Sequence, residues 1–387
     1  MVLTGSTRLI NNDEGVLNMR NRMLSLAPAA LLMLAAASLT AVPAMAQAAA
    51  GSGIKRLPDG HPDLQGVYDI ATMTPLERLP GDPPSYTKEQ AQKLQQDEMN
   101  RRKNDGGHIP KDPKEAKSFF ALLELAGGGA VGGYDRLWLN QGTNFTVVDG
   151  QIRTSIVIEP ADGHVPPFNA AAKKRRANAF GALPTSDQAE DSSKQDVSAA
   201  VSRGEYDNPE QRPLSERCLL GFGSTSGPPA LPDYFYNDLH QIVQTGDNIM
   251  ILTEMIHDAR IVRMNAQHLP KEIRRWMGDS VGHWEGDTLV IDTTNFTDKT
   301  RFHGSTENLH VVERISRMDD NTLLYHFTVD DPQTWDRPWT GEMTWPATNK
   351  PILEYACHEG NYALGDVMRG ARKQEAEQAA AKAAGKN

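Results

Sequence analysis

Several features that mark common protein classes are missing from this chain of 387 residues. There is no dinucleotide-binding Gly-x-Gly-x-x-Gly fingerprint, no haem or iron–sulfur spacing and no zinc motif H-E-x-x-H. The glycine run GGGAVGG at 127–133 is not followed by the Lys-Ser/Thr pair of a phosphate-binding loop. We therefore expect no redox cofactor, no other cofactor and no metal ion.

A long apolar run is missing as well. The apolar stretch from Met23 to about Ala37 has roughly 15 residues, whereas a membrane span needs about 20. Two arginines precede it and the small residues AMA at 44–46 follow it, which is the pattern of a cleavable secretory signal. We predict a signal peptide over residues 1–46, with translation starting at Met19 or Met23. The protein is expected in the periplasm or outside the cell, without stable membrane insertion.

Basic residues are outnumbered by acidic ones, with 40 lysines and arginines against 50 aspartates and glutamates. The net charge is −10, and it becomes −11 when residues 1–46, with three arginines, one aspartate and one glutamate, are removed. An acidic chain is a poor partner for nucleic acid, so we expect a small-molecule ligand or substrate instead. Roughly 340 residues remain, enough for a sizeable core. The sequence does not define an oligomeric state.

Cysteine is nearly absent: only Cys218 and Cys357 occur. In an oxidising compartment a disulfide between them is the first interpretation, and two separate buried thiols are the alternative. If residues 352–357 form a strand, Cys357 and His358 point to opposite faces and cannot act together as nucleophile and base.

Strand signals dominate the second half of the chain. Three segments alternate apolar and polar residues around turns at 245–248, 285–287 and 319–321, which indicates consecutive hairpins. The pattern predicts a mainly β fold, an antiparallel meander closing into a barrel or strongly curved sheet of lipocalin-like character rather than a two-layer sandwich.

Helical signals interrupt this pattern near the N-terminus. Residues 87–103 begin with a capping box, and residues 113–126 begin at a proline and end at glycines, so two inserted helices are predicted within about 85–130. We expect a single β-rich domain over residues 47–370 and a low-complexity, helix-prone tail over 371–387.

The densest polar cluster is EMIHDAR at 254–260. A histidine beside a carboxylate suits acid–base chemistry, so His257, oriented by Asp258, is the predicted base. Arg260 or His240 would stabilise negative charge, and Glu254 belongs to the same predicted catalytic group. In a regular strand His257 lies on the face opposite Asp258, but a turn near 255 would change that. The alternative is a salt-bridged hairpin end.

Other polar and aromatic residues are candidates for substrate binding. His310 and Glu313 fall on opposite faces of one strand, which argues against a shared metal ion. The sequence GDSVG around Ser280 lacks the strand and helix of a nucleophile elbow. Tryptophan and tyrosine give a ring-containing ligand a flat face, although such residues also pack in cores. The predicted substrate-binding residues are Trp284, His303, His310, His358, Glu359 and Tyr236.

The segments EMIHDARIV, GDSVGHWEGDTLVIDT and EYACHEGNY carry a resemblance. Together with the strands between them, they resemble an uncharacterised family of secreted bacterial β-rich proteins. The resemblance implies export and a β-rich body, and no catalytic residue comes with it.

The functional expectation therefore rests on residue chemistry alone. We expect the protein to be an exported enzyme without redox cofactor that performs elimination, isomerisation or hydrolysis by histidine and carboxylate chemistry in a barrel pocket. The alternatives are a lipocalin-like binding protein for an apolar or ring-containing ligand and an envelope interaction module. Convergence of His257, His303 and His310 in one cavity would favour the enzyme.

Overall fold

The computed structural model describes residues 54–103, 142–178, 204, 206–221, 227–232 and 237–385. Within these residues the protein is mainly β, as the sequence predicts. The strands are β1 Gly66–Asp69, β2 Ser85–Tyr86, β3 Val147–Val148, β4 Gln151–Arg153, β5 Val157–Glu159, β6 Leu239–Gln244, β7 Asn248–Thr253, β8 Asp258–Met264, β9 Asp279–Glu285, β10 Thr288–Thr294, β11 His310–Arg317, β12 Thr322–Asp330 and β13 Trp339–Thr348. The helices are α1 Lys88–Lys103, α2 Ala170–Asn178 and α3 Tyr362–Ala383, with short 3-10 helices η1 Pro209–Gln211, η2 Met255–His257 and η3 Phe302–Gly304.

Nine strands close into a barrel. They follow the order β1, β6, β7, β8, β9, β10, β11, β12 and β13, and β13 pairs back onto β1, where Tyr68 lies opposite Ala347. Strand β5 pairs with the beginning of β13, and β2, β4 and β3 form a separate small sheet. The predicted closed, lipocalin-like barrel is confirmed. Closure removes the exposed sheet edges that would otherwise invite association.

An odd number of strands has a topological consequence. Directions alternate between antiparallel neighbours, so a closed ring of nine needs a parallel pair. That pair is β8 with β9, in the register Val262 opposite Ser280. The meander was predicted as wholly antiparallel, and this pair corrects it. Residues 265–278 must therefore run back along the barrel between the two strands, because a tight turn cannot join parallel neighbours.

The barrel interior is built by alternation along each strand. In β12 the residues Leu323, Tyr325, Phe327 and Val329 are fully buried, while the residues between them are half-buried. Aromatic side chains of β13 complete this interior. Removing each such side chain from water contributes about 1.5 to 3 kcal/mol, so the packed interior is the main stabilising element.

We call end A the barrel end where β6 finishes at Gln244, and end B the end where β6 begins at Leu239. Residues 54–65 cover end A. The Gln244 side chain accepts a hydrogen bond from the Leu64 backbone N–H at 3.1 Å and donates to the Pro62 carbonyl at 3.3 Å. This segment therefore acts as a cover that is tied to the inside of β6.

Several boundaries predicted from sequence can be compared with these elements. Helix α1 follows Thr87, whose hydroxyl accepts the Gln90 backbone N–H while the Gln90 side chain accepts the Thr87 N–H, so the capping box forms. The predicted helix over 113–126 and the signal peptide over 1–46 lie outside the described residues. The boundary placed between residues 370 and 371 falls inside α3.

The predicted disulfide between Cys218 and Cys357 is confirmed, with Cα atoms 5.8 Å apart. Residues 351–356 around it are irregular rather than a strand. Asn361 reinforces the junction, because its side chain donates to the Glu216 carbonyl at 2.7 Å and accepts the Leu364 N–H at the start of α3. None of the helices in the described ranges is long and apolar enough to cross a bilayer.

Candidate functional site

A buried ion pair lies inside the barrel. Strand β8 alternates so that Arg260 faces inward, and β11 does the same with Glu313. The two guanidinium nitrogens Nη1 and Nη2 donate to Oε2 and Oε1 of the carboxylate at 2.5 and 2.8 Å. Their exposed side-chain fractions are 6% and 0%. Two parallel hydrogen bonds of this kind fix the orientation of both groups.

Neighbouring hydroxyls complete the hydrogen bonding of this pair. The Tyr325 hydroxyl donates to Glu313 Oε1 at 2.7 Å and accepts the Ala230 backbone N–H at 2.8 Å. Burial, reinforced by Glu313, raises the pKa of Tyr325 well above its usual value, so the phenol stays protonated. Arg260 also donates to Ser280 Oγ at 3.4 Å. The cluster is neutral overall and well satisfied.

His240 differs from its neighbours. It faces inward from β6, opposite Tyr68 and Thr253, and is 1% exposed. Among the described residues, neither ring nitrogen has a hydrogen-bond partner of good geometry. Burial lowers the pKa of His240 to about 4, with Arg260 adding to the shift and the Asp238 backbone opposing it. At neutral pH the ring is therefore uncharged and carries one N–H and one lone pair.

Aromatic rings connect His240 to the ion pair. Trp345 lies with its ring centroid 5.3 Å from His240 and stacks on Tyr325 at 4.5 Å. Its indole Nε1 is buried and, within the described ranges, has no hydrogen-bond partner. A buried donor left unpaired costs about 1 to 3 kcal/mol, so such groups need an explanation. We call Arg260, Glu313, Tyr325, His240 and Trp345 the lumen site.

The predicted catalytic residues do not all belong to the lumen site. Arg260 and His240 do. His257 is exposed on η2 with φ 61°, and Asp258 is half-buried at end B, where burial raises its pKa. Glu254 is buried and accepts the Leu353 N–H at 2.8 Å. A turn at 255–257 replaces the regular strand, so the alternative with a turn near 255 applies and the face allocation of a regular strand does not hold for His257.

The predicted substrate-binding residues are also dispersed. Trp284 is at end A, stacked on His61 with centroids 4.5 Å apart. His303 lies in η3 with its ring edge-on to Trp339 at 6.3 Å. His358 and Glu359 occupy an exposed turn next to the disulfide, and Tyr236 lies outside the described residues. His257, His303 and His310 therefore do not converge in the lumen site.

His310 belongs to a network on the outer face of the barrel. Its Nε2 lies 2.9 Å from Asp292 Oδ2, and the other oxygen of Asp292 lies 2.9 Å from His268 Nε2. His268 Nδ1 is 3.1 Å from Asp279, which also accepts the Leu269 N–H. The hydrogen bond to Asp292 raises the pKa of His310 against the opposing effect of burial.

This network, which we call the outer network, has a structural role. His268 lies in the segment 265–278 that the parallel pair requires, and its two ring nitrogens bond this segment to β9 and β10. His310 and Glu313 do point to opposite faces of β11, as the alternation predicts. In the part of the chain that the structure describes, no group of three or more metal-ligating side chains can hold an ion.

Sequence reasoning missed three members of the lumen site. Glu313 was weighed only as a metal ligand, Tyr325 was placed in a predicted strand, and Trp345 was not considered. The sequence contains a pattern that could have identified two of these residues. Glu313 and Tyr325 occupy inward positions between apolar residues of β11 and β12. A charged residue at an inward position of a closed barrel requires a partner from another strand.

Comparison with protein-family models, with curated proteins and with solved structures gives no match. The resemblance to secreted β-rich proteins therefore brings no family assignment. The functional conclusion rests on the geometry of the lumen site.

Proposed function

We propose that the protein is an exported binding protein that takes a small ring-containing molecule at the lumen site. The observation that carries this proposal is His240, a buried imidazole whose two nitrogens have no good hydrogen-bond partner among the described residues. The adjacent cluster of Arg260, Glu313 and Tyr325 is fully hydrogen-bonded, whereas the indole Nε1 of Trp345 beside His240 is also without a partner in the described residues. Buried polar groups left unpaired inside a satisfied cluster are typical of positions that a ligand completes.

The surroundings of His240 favour a ring. Trp345 lies against His240 and is itself in contact with the rings of Tyr325 and Tyr68, and its indole is a second unpaired donor within the described residues. Stacking on such rings contributes about 0.5 to 1.5 kcal/mol beyond burial of area. The aromatic surroundings of His240 and its unpaired ring nitrogens therefore both favour a ring-containing molecule.

The disulfide and the signal pattern support export to the periplasm or beyond. A bond between Cys218 and Cys357 is stable in an oxidising compartment and rare in the reducing cytosol. N-terminal sequencing of the protein recovered outside the cytosol is expected to begin at Gln47. Recovery of the intact N-terminus from the cytosol, with both thiols reduced, would contradict export.

An acid–base enzyme is the second candidate, and one observation favours it. His240 is uncharged at neutral pH, while burial raises the pKa of Asp258 on the facing pair of strands. Titratable groups whose pKa values are shifted in opposite directions are characteristic of acid–base sites. In this candidate His240, rather than the exposed His257, accepts the proton. Conversion of a bound molecule by wild type and not by His240→Phe would support it.

The binding proposal can be tested with N-phenyl-1-naphthylamine, a neutral two-ring probe whose fluorescence rises in apolar surroundings. Its amine N–H can donate to the imidazole lone pair of His240. We expect saturable binding by the exported protein and about tenfold weaker binding by His240→Phe, the loss that one buried hydrogen bond gives.

The matched control is His283→Phe, because His283 is an exposed histidine on the outer face of β9. It should bind the probe within about twofold of wild type. Absence of saturable binding, or equal binding by His240→Phe and wild type, would overturn the proposal. Thermal unfolding of both variants checks that each is folded.

A further inference from the structure

The parallel pairing of β8 with β9 is a short one in the barrel wall. It joins residues 262–264 of β8 to residues 280–282 of β9, whereas β7 pairs with β8 and β10 with β9 along their whole lengths. Parallel pairing is also slightly less stable per residue than antiparallel pairing. The wall between β8 and β9 therefore depends more on side-chain contacts than the wall on either side of it.

Asp279, at the beginning of β9, joins the side chains that support this pairing from outside. Its carboxylate accepts from Arg263 Nη2 of β8 at 3.0 Å and from the Leu269 backbone N–H at 2.9 Å. The same carboxylate lies 3.1 Å from Nδ1 of His268. The Asp279 side chain is 1% exposed. One buried carboxylate therefore connects β8, β9 and the segment 265–278, which we call the crossover segment.

His268 of the crossover segment lies between two carboxylates. Its Nδ1 is 3.1 Å from Asp279, and its Nε2 is 2.9 Å from Asp292 of β10. Burial opposes the ionisation of both carboxylates, but the hydrogen bonds that they accept and the charges beside them outweigh it and lower the pKa of each. At neutral pH both carboxylates are therefore anions that can only accept hydrogen bonds.

The imidazole of His268 can donate to both carboxylates in only one of its two charge states. With two protons it donates from both ring nitrogens and places a positive charge between two anions. With one proton it donates to one carboxylate and turns a lone pair towards an oxygen of the other. Histidine is the residue type that exchanges this second proton between about pH 5 and 8. The hold of the crossover segment on β9 and β10 therefore depends on the charge of one side chain.

Other charged groups around His268 come from several strands. They are Arg263, Asp279 and Asp292, and beyond Asp292 also His310 on β11 and Asp330, which lies opposite His310 on β12. On the crossover segment itself, Arg274 donates to the Phe296 and Glu307 carbonyls instead. Two of these residues are histidines, and only His268 belongs to the crossover segment.

We propose that His268 makes the pairing of β8 with β9 sensitive to pH: with two protons it holds the crossover segment to both β9 and β10, and loss of one proton weakens this hold and loosens the pairing. The device lies on the outer face of the barrel. It is therefore independent of the proposed binding function of the lumen site.

Amide hydrogen exchange followed by NMR tests the proposal at about pH 6 and about pH 8.5, on either side of the usual histidine titration. Each rate is corrected for the intrinsic exchange rate at that pH. The reporters are the amide of Leu269, bonded to Asp279, and the amide of Asn265, bonded to the Gly282 carbonyl at 2.7 Å. Their protection in wild type should fall about tenfold at the higher pH, the factor expected when one hydrogen bond to a charged group is lost.

Two variants and one reference region assign the cause. His268→Gln has a side chain that donates from one nitrogen at every pH, so the fall should shrink to about threefold or less. His310→Gln is the matched control, because it removes the other histidine of the outer network and leaves the crossover segment unchanged. It should keep about the full fall. Amides that bond between β11 and β12 should lose less than about twofold in wild type.

A fall at Leu269 and Asn265 that is lost in His268→Gln and kept in His310→Gln supports the proposal. No fall in wild type, or an equal fall in His268→Gln, overturns it, because the response is then missing or caused by another group. An equal loss at the amides between β11 and β12 also overturns it, because the response then belongs to the whole barrel. The two results from wild type decide the proposal even if His268→Gln does not fold.

Discussion

Two histidines of this barrel show how position determines chemistry. His240 faces inward, is 1% exposed and has a pKa lowered to about 4, chiefly by burial. His310 faces outward, is bonded to Asp292 at 2.9 Å and has a raised pKa. The same imidazole is therefore held neutral inside the wall and favoured as a cation outside it.

The difference separates the proposed ligand site from a structural anchor. In the outer network each histidine has a carboxylate partner, and the network fixes the segment 265–278 against the barrel. In the lumen site His240 lacks such a partner in the described residues, although Arg260, Glu313 and Tyr325 beside it are paired. The proposed binding function therefore rests on unequal hydrogen bonding of the histidines rather than on their number.

The largest expected effect is a loss of stability when the buried ion pair of the barrel interior is broken. Glu313→Gln leaves the Arg260 charge buried without its counter-ion, and breaking such a pair costs about 3 to 5 kcal/mol. Urea unfolding should show this loss in the free energy of unfolding. The control is Glu285→Gln, which breaks an exposed pair with Arg314 and should leave stability at the wild-type value. Equal effects of the two changes would contradict the comparison.

The next effect is a pH dependence caused by His240. Folding lowers the pKa of His240 from 6.5 to about 4. Between these two pH values the unfolded chain binds a proton at His240 and the folded protein does not. Stability is then lost as the pH falls from about 6.5 towards 4, by roughly 3 kcal/mol for a shift of this size. His240→Phe should flatten this part of the stability curve. An unchanged slope in the variant would show that other groups cause it.

A smaller effect is expected from the outer network. Asp292→Asn removes the carboxylate shared by His268 and His310 and should lower stability by about 1 to 2 kcal/mol, the usual contribution of hydrogen bonds to charged groups. NMR titration should show the pKa of His310 returning to the value of a free histidine. His283, on the same outer face, provides the control resonance and should not change. A His310 pKa that stays raised would refute the role of Asp292.

The smallest expected effect comes from His310. Its contribution to the pH dependence of stability has the opposite sign to that of His240. Because the folded pKa of His310 is raised above the unfolded value, its stabilising contribution is complete below about pH 6.5 and is lost as the pH rises through the folded pKa. Between neutral and mildly alkaline pH, wild type should therefore lose slightly more stability than His310→Gln. If the curves of stability against pH for wild type and His310→Gln are parallel, His310 does not contribute to the pH dependence.

The sequence predicts the local elements well and the long-range partners poorly. Hairpins were found because Gly286 and its neighbours mark turns between alternating strands, and the disulfide was found because the chain has two cysteines. The pair of Arg260 and Glu313 joins positions 53 residues apart, and no local pattern connects them. The parallel pair could not be seen either, because it follows from the number of strands in the closed ring.

The pairing of β1 with β13, which closes the barrel, has a consequence for how the protein folds. Tyr68, near the start of the described chain, pairs with Ala347, near the end of its β region. Contacts between such distant positions form slowly, because the intervening chain must be ordered first. If the protein is exported from its N-terminus as proposed, β1 stays unpaired with β13 until nearly all of the chain has emerged. Pulse-labelled hydrogen exchange during refolding should find the amides that bond between β1 and β13 protected last, and their early protection would show that the ring closes by another route.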